Sequence, residues 1–307
     1  MITGGGTLYM PESKMERMRK GSLFAPDDDQ AYLTKYLVQV TLPHRQPTDS
    51  PDFWERKNGR YSICITPGSL NVNGVRRKLG YPAGAIPRLI LLWMNREVVR
   101  HGERKLCLGN SLSVFMENIG LNSRNGSLKS ARSDRKRLHE QMMNLFRSQI
   151  EFSLSESNHT AWKDFNVAPQ GEVWWDFYSE GEYLFDSWIE LGEHFYQALL
   201  QGPVPLSTQA LRELKGSSLE LDLYSWAVYA TYIAMTRREP FRITWTRLHH
   251  NLGADYARER DFKRKATAAL KKISTVYPDL RLDEEGDNLI VKPSLTPIKP
   301  RIRSLQA

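Results

Sequence analysis

The 307-residue chain carries 43 Lys and Arg against 35 Asp and Glu, a formal net charge of +8, so its long-range field favours a polyanionic partner. Two cysteines, Cys64 and Cys107, exclude a disulfide scaffold, and neither has a second Cys or a His at metal-ligand spacing. The longest apolar runs, such as 89–94, fall far short of a membrane span, and the N-terminus lacks a signal-peptide core, so a soluble protein of the bacterial cytoplasm with no membrane partner is expected.

Residues 1–58 are mixed in character, with a basic stretch at 14–20, Asp27, Asp28 and Asp29 in a row, and prolines breaking 43–51; they predict a partly ordered arm. From Tyr61 the pattern tightens. Residues 61–65 alternate like a strand, 80–87 read as a loop, and 88–100 are apolar enough for a buried helix. A helix over 111–119 carries Leu112, Phe115, Met116 and Ile119 at helical spacing and stops at Gly120. A turn leads to a longer helix from Ser127, a good cap residue. It has Leu128, Ala131, Leu138, Met142, Leu145 and Phe146 on one face, and Lys129, Arg132, Lys136 and Arg137 toward the other. Residues 150–154 and 172–178 look extended, 182–205 predict an aromatic-rich helix, and Pro203 with Pro205 marks a domain boundary.

The second half repeats this order. Helices over 208–215 and 219–235 form the floor of a second core. Residues 245–252 make a short helix, Gly253 ends it, and Asp255 can cap the next, which is a helix-turn-helix signature. On the following helix Phe262, Ala266, Ala269, Leu270, Ile273, Val276 and Tyr277 share one third of the circumference. Arg260, Lys263, Arg264, Thr267 and Lys271 occupy the rest. Such a helix suits a major groove, where Arg or Lys reads guanine while neighbouring cations meet phosphates. A hairpin over 280–291 follows, completing a winged-helix order. Its acidic tip would repel phosphate, so Lys292, Lys299, Arg301 and Arg303 are expected to supply the flanking contacts. The fold class expected is α+β, mainly helical, with two tandem winged-helix domains: an arm (1–58), domains at 59–202 and 203–293, and a basic tail (294–307).

The chain resembles plasmid replication initiators of the RepA type. The matching residues are Gly80-Tyr81-Pro82-Ala83-Gly84 through Ile86-Pro87-Arg88, Leu108-Gly109, Ser111-Leu112, Phe115-Met116, Gly120-Leu121, Gln141 and Leu145-Phe146. They continue with Pro203-Val204-Pro205-Leu206, Leu211, Leu214-Lys215, Asp222-Leu223-Tyr224 and Trp226. The resemblance implies binding to direct repeats of double-stranded origin DNA, melting of the adjacent duplex with a host initiator, and recruitment of the host replicative helicase. It also implies a homodimer in equilibrium with monomer, the monomer acting at the origin and the dimer in autorepression. The family's DNA-contacting helix carries over onto 256–271, which adds Tyr256 and Arg258 to the candidates.

Rival readings are a winged-helix transcriptional repressor and a metal-dependent nicking initiator. Nicking needs two metal-ligand histidines one residue apart, whereas His249 and His250 are adjacent and diverge by about 100° on a helix. No GxxxxGK[ST] phosphate loop is present. Trp174-Trp175 could stack single-stranded bases, but core and interface roles suit them better. No catalytic residue, metal or cofactor is expected.

Overall fold

The computed structural model describes residues 22–24, 29–59, 61–72, 74–122, 134–156, 159–173, 186–252 and 256–299. In chain order its elements are β1 (Gln30–Thr34), α1 (Lys35–Gln39), β2 (Trp54–Asn58), β3 (Tyr61–Thr66), β4 (Ser69–Val72), β5 (Val75–Lys78), α2 (Ala85–His101), β6 (Lys105–Gly109), α3 (Leu112–Asn118) and α4 (Asp134–Phe146). Next come β7 (Gln149–Glu156), β8 (His159–Asn166), β9 (Gln170–Glu172), β10 (Ser187–Glu190), α5 (Glu193–Leu200), β11 (Pro203–Ser207), α6 (Thr208–Leu214) and α7 (Ser218–Arg237). The chain closes with β12 (Phe241–Thr244), α8 (Trp245–Leu252), α9 (Glu259–Val276), β13 (Leu282–Glu285) and β14 (Asn288–Val291). The class is α+β and mainly helical, with small sheets.

Two helices are buried nearly all round, as a helix without a polar face must be. Every residue from Ile86 to Val98 of α2 is buried, and so is every residue from Leu221 to Val228 of α7. Each opens a six-element unit. The first runs α2, β6, α3, α4, β9, β10; the second runs α7, β12, α8, α9, β13, β14. Both place their antiparallel strands in the order first, third, second: β6-β10-β9 and β12-β14-β13. The hairpin β7–β8 interrupts the first unit and joins another sheet, β2-β3-β7-β8.

Where α2 and α7 meet, Arg88 uses all five of its N–H donors. Nε and Nη2 each reach Asp222 at 2.7 Å, and the carbonyls of Leu42, Pro43 and Gly84 accept the rest. His44 approaches the same carboxylate at 2.9 Å through Nε2, and its Nδ1 faces the Ser218 hydroxyl at 3.2 Å. Burial pushes the Asp222 carboxyl up, but Arg88 and His44 hold it below its ordinary value. Arg88 and Asp222 both belong to the stretches that carry the family resemblance.

Several expected elements take other forms. Residues 30–58, read as part of an arm, contribute strands and the buried side chains Leu37, Val38, Val40 and Leu42 to the core. Residues 186–205 are not one helix. Ser187 to Glu190 alternate in burial with the period of a strand, and only Glu193–Leu200 is helical. Pro203 and Pro205 lie in β11, opposite Thr34 and Tyr32 of β1. Prolines two apart suit an edge strand, where alternate N–H groups are not needed by the partner. One hydrophobic core includes residues from both sides of the expected boundary at 203. Ser207 and Ser217 cap α6 and α7 by accepting from Ala210 N and Glu220 N, contacts typically contributing about 1 kcal/mol each.

Candidate nucleic-acid interface

The helix pair α8–α9 is assembled from its apolar side. Phe262, Ala266, Ala269, Leu270, Ile273 and Tyr277 are buried, as their spacing predicts. His249 stacks on Phe262 with centroids 4.6 Å apart and planes 18° off parallel. Tyr256 packs partly buried against the same ring, centroids 6.1 Å apart. Thr246 Oγ1 donates to Glu259 Oε2 at 2.8 Å, tying the two helices across their turn. Glu259 and Asp261 complement the positive end of the α9 dipole. His250 is exposed with its Nδ1 3.0 Å from the Thr246 carbonyl, and the two histidine rings stand at 62° to one another. That divergence does not suit a shared ion.

The three carboxylates of β13 are each paired with a cation of the fold. Lys292 meets Asp283 at 2.7 Å, Arg242 bridges to Glu285, and Lys263 bridges to Glu284, which also accepts from Trp245 Nε1 at 3.2 Å. The hydrogen bond from Lys292 holds the Asp283 carboxyl below its ordinary value, and that from Lys263 does the same for Glu284. The β13 carboxylates thus do not confront a phosphate unaccompanied. In exchange, two expected DNA contacts, Lys263 and Lys292, are engaged within the fold, and Lys263 also lies 5.3 Å from the Trp245 ring centroid.

What remains outward is a stripe. At about 100° per residue, Arg260, Arg264, Thr267 and Lys271 fall within roughly 60° of arc, opposite the buried face. Arg260, Arg264 and Lys271 are exposed and Thr267 is half-buried. Arg264 has Asp261 at 3.9 Å, while Arg258, Arg260 and Lys271 form no ion pair among the described residues. Exposed Lys265 lies beyond the stripe, and Lys272 bonds Glu220 of α7 at 2.7 Å.

In the first unit, α4 buries Leu138, Met142, Leu145 and Phe146 as expected. Lys136 and Arg137 are exposed, the latter 3.2 Å from Asp134. Arg135 is buried and donates to Ser113 Oγ at 2.7 Å. The far end of α4 holds the loop before α2: Asn144 bonds Gly80 N and the Tyr81 carbonyl, and Gln141 accepts from Ala83 N at 2.7 Å. That is the structural use of the glycine-containing stretch 80–84. Lys129, Arg132, Ser127, Trp174, Trp175, Gly253, Asp255, Arg301 and Arg303 lie outside the described residues. Among the described residues no helix is long and apolar enough to cross a membrane.

A family model described as plasmid encoded RepA protein matches residues 81–247. The match covers α2 through the start of α8 and stops before α9. Among solved structures, domains 2 and 3 of RctB superpose with a TM-score of 0.52 at 12% identity, covering 86% of this chain and all of that one. A second crystal structure of RctB domains 2–3 gives a TM-score of 0.44 at 13% identity over 84% of this chain and 96% of that one. No curated protein matches the chain.

Proposed function

The chain belongs to the family of plasmid-encoded RepA proteins, a family of plasmid replication initiators, and from that premise we propose that it binds direct repeats in double-stranded origin DNA through winged-helix units. The observation that carries the reading is the stripe Arg260, Arg264, Thr267 and Lys271, outward on α9 while the β13 carboxylates are paired within the fold. A helix of this width lies in a major groove with its cations toward base edges and phosphates. Bound repeats then position the protein to open the adjacent duplex, with the host initiator and replicative helicase recruited to the opened strand. The monomer acts at the origin, and a homodimer represses the protein's own gene.

The proposed role is that of a binding protein, not an enzyme. Incubation of a supercoiled origin plasmid with the protein and Mg²⁺ leaves it unnicked; a nick abolished by one tyrosine substitution would make it a nicking initiator. The deciding experiment couples footprinting to replication. Duplex fragments tiled across the DNA flanking the coding region are footprinted, and the protected fragment is tested as an origin in cells supplied with the protein. Tandem direct repeats that support replication with wild type, but not with Arg264→Ala plus Lys271→Ala, are expected. Protection of a lone inverted repeat that supports no replication would make the protein a transcriptional repressor.

A further inference from the structure

One strongly cationic element takes no part in the site above. β4 and β5 form a two-stranded ribbon bonded to no other strand among the described residues. All four residues of β5 are exposed, and they read Val75, Arg76, Arg77, Lys78. An isolated two-stranded ribbon is marginal in water, so this one depends on its root. There Leu79 N donates to the Gly68 carbonyl at 2.9 Å, and Lys78 Nζ reaches the Pro51 carbonyl at 3.1 Å and Asp52 at 3.0 Å. Gly68 lies so close to the backbone of Arg147, the residue after α4, that a Cβ would stand 2.0 Å from its carbonyl oxygen. The ribbon is therefore seated on the C-terminal end of α4, and its far end turns at Gly74, with φ of 81°.

The register pairs Asn71 with Arg76 and Leu70 with Arg77. Successive strand residues face opposite sides, so the ribbon presents one guanidinium on each face. Arg76 Nε is steadied by Ser69 Oγ at 2.8 Å. Beside the turn, between Gly74 and Arg76, Val75 is 58% exposed, an apolar tip that the fold itself does not bury. A narrow ribbon with a cation on either side and an apolar tip fits a DNA groove, where arginines meet the two phosphate walls and the apolar residue lies against sugars and base edges. A flat acidic protein surface would engage only one of the two faces.

We propose that the β4–β5 ribbon enters the minor groove of duplex DNA beside the site read by the helices, with Arg76 and Arg77 on opposite phosphate walls. This rests on the DNA-binding reading above. The test uses the full chain, comparing wild type, Arg76→Ala with Arg77→Ala, and the charge-keeping Arg76→Lys with Arg77→Lys. Each is titrated at several salt concentrations against the same tiled fragments and footprinted with hydroxyl radicals. The alanine pair is expected to keep the wild-type circular dichroism and the central protection, and to lose a patch of minor-groove protection at one flank. The slope of log affinity against log salt should fall by about two, the change for two lost phosphate contacts, and the lysine pair should restore it. An alanine pair with wild-type affinity, slope and footprint overturns the inference alone and assigns the ribbon to a protein partner. A wild-type protein that protects no fragment overturns the DNA-binding reading itself.

Discussion

The two six-element units have one topology and dispose of their charge in opposite ways. In the second unit Lys263 of α9 is paired with Glu284 of the hairpin, and the outer stripe is left open. In the first unit α4 turns Arg135 inward to Ser113 and commits Asn144 and Gln141 to the loop that enters α2. A shared helix order therefore does not decide which helix can lie in a groove. The partners of individual charged side chains decide it.

The largest expected effect comes from the contact that joins the units. Arg88→Met strands Asp222 in the core, and loss of one partner from a buried pair costs about 3–5 kcal/mol, read as a lower urea midpoint. Lys272→Ala breaks a more exposed tie, between α9 and α7, and should cost less than about 1 kcal/mol. Equal losses for the two would mean that Arg88 does not bind the units together. The same cluster gives a pH dependence. Burial holds His44 below its ordinary 6.5, with the charge of Arg88 adding to the depression and the hydrogen bond to Asp222 opposing it. The unfolded chain gains that proton first, so the contribution is complete above pH 6.5 and declines as pH falls below it. His44→Gln should flatten that limb of the stability curve.

Next in size, Arg264→Ala is expected to cost about 1–3 kcal/mol of DNA affinity and to relax specificity at one base position. Lys271→Ala should weaken all sequences alike and reduce the salt slope by about 1. Binding by both variants at wild-type strength would reduce the stripe to a solvated face. The smallest effect is expected in the first unit. If both units approach the same side of one duplex, a monomer protects about two turns, its contacts roughly 10 base pairs apart. Arg132→Ala with Lys136→Ala should then erase the weaker segment of a hydroxyl-radical footprint while leaving the α9 segment intact. An unchanged footprint would assign the first unit to protein contacts.

Local periodicity made much of this legible. The buried faces of α3, α4 and α9 are the residues that helical spacing selects, because a 3.6-residue repeat has one geometric solution. Long-range pairings were not legible in the same way. β11 finds its partner among residues 30–34, and nothing near Pro203 announces it. The 186–205 segment misled because its aromatic content outweighed the two-residue alternation of Ser187 to Glu190. The β13 carboxylates looked repulsive because the cations that meet them, Lys263, Arg242 and Lys292, come from other places in the sequence. For the same reason the ion pair of Lys263 with Glu284 was not legible from the spacing on α9. The basic ribbon did leave a signal, the dipeptide Asn73-Gly74, which favours a two-residue hairpin turn.

The pairing of β1 with β11 also bears on how the protein is made. Asp29 accepts from the Ser207 and Thr208 hydroxyls and, through its carbonyl, from Thr208 N. These partners are separated by 178 and 179 residues. At about 5–20 residues per second, a ribosome needs roughly 9–36 s to supply the second strand after the first has emerged. Until then β1 presents an unpaired edge, open to any other extended segment nearby. Synthesis on a crowded polysome would expose many such edges at once, and a holding chaperone, slower initiation or faster elongation would each reduce the number exposed together.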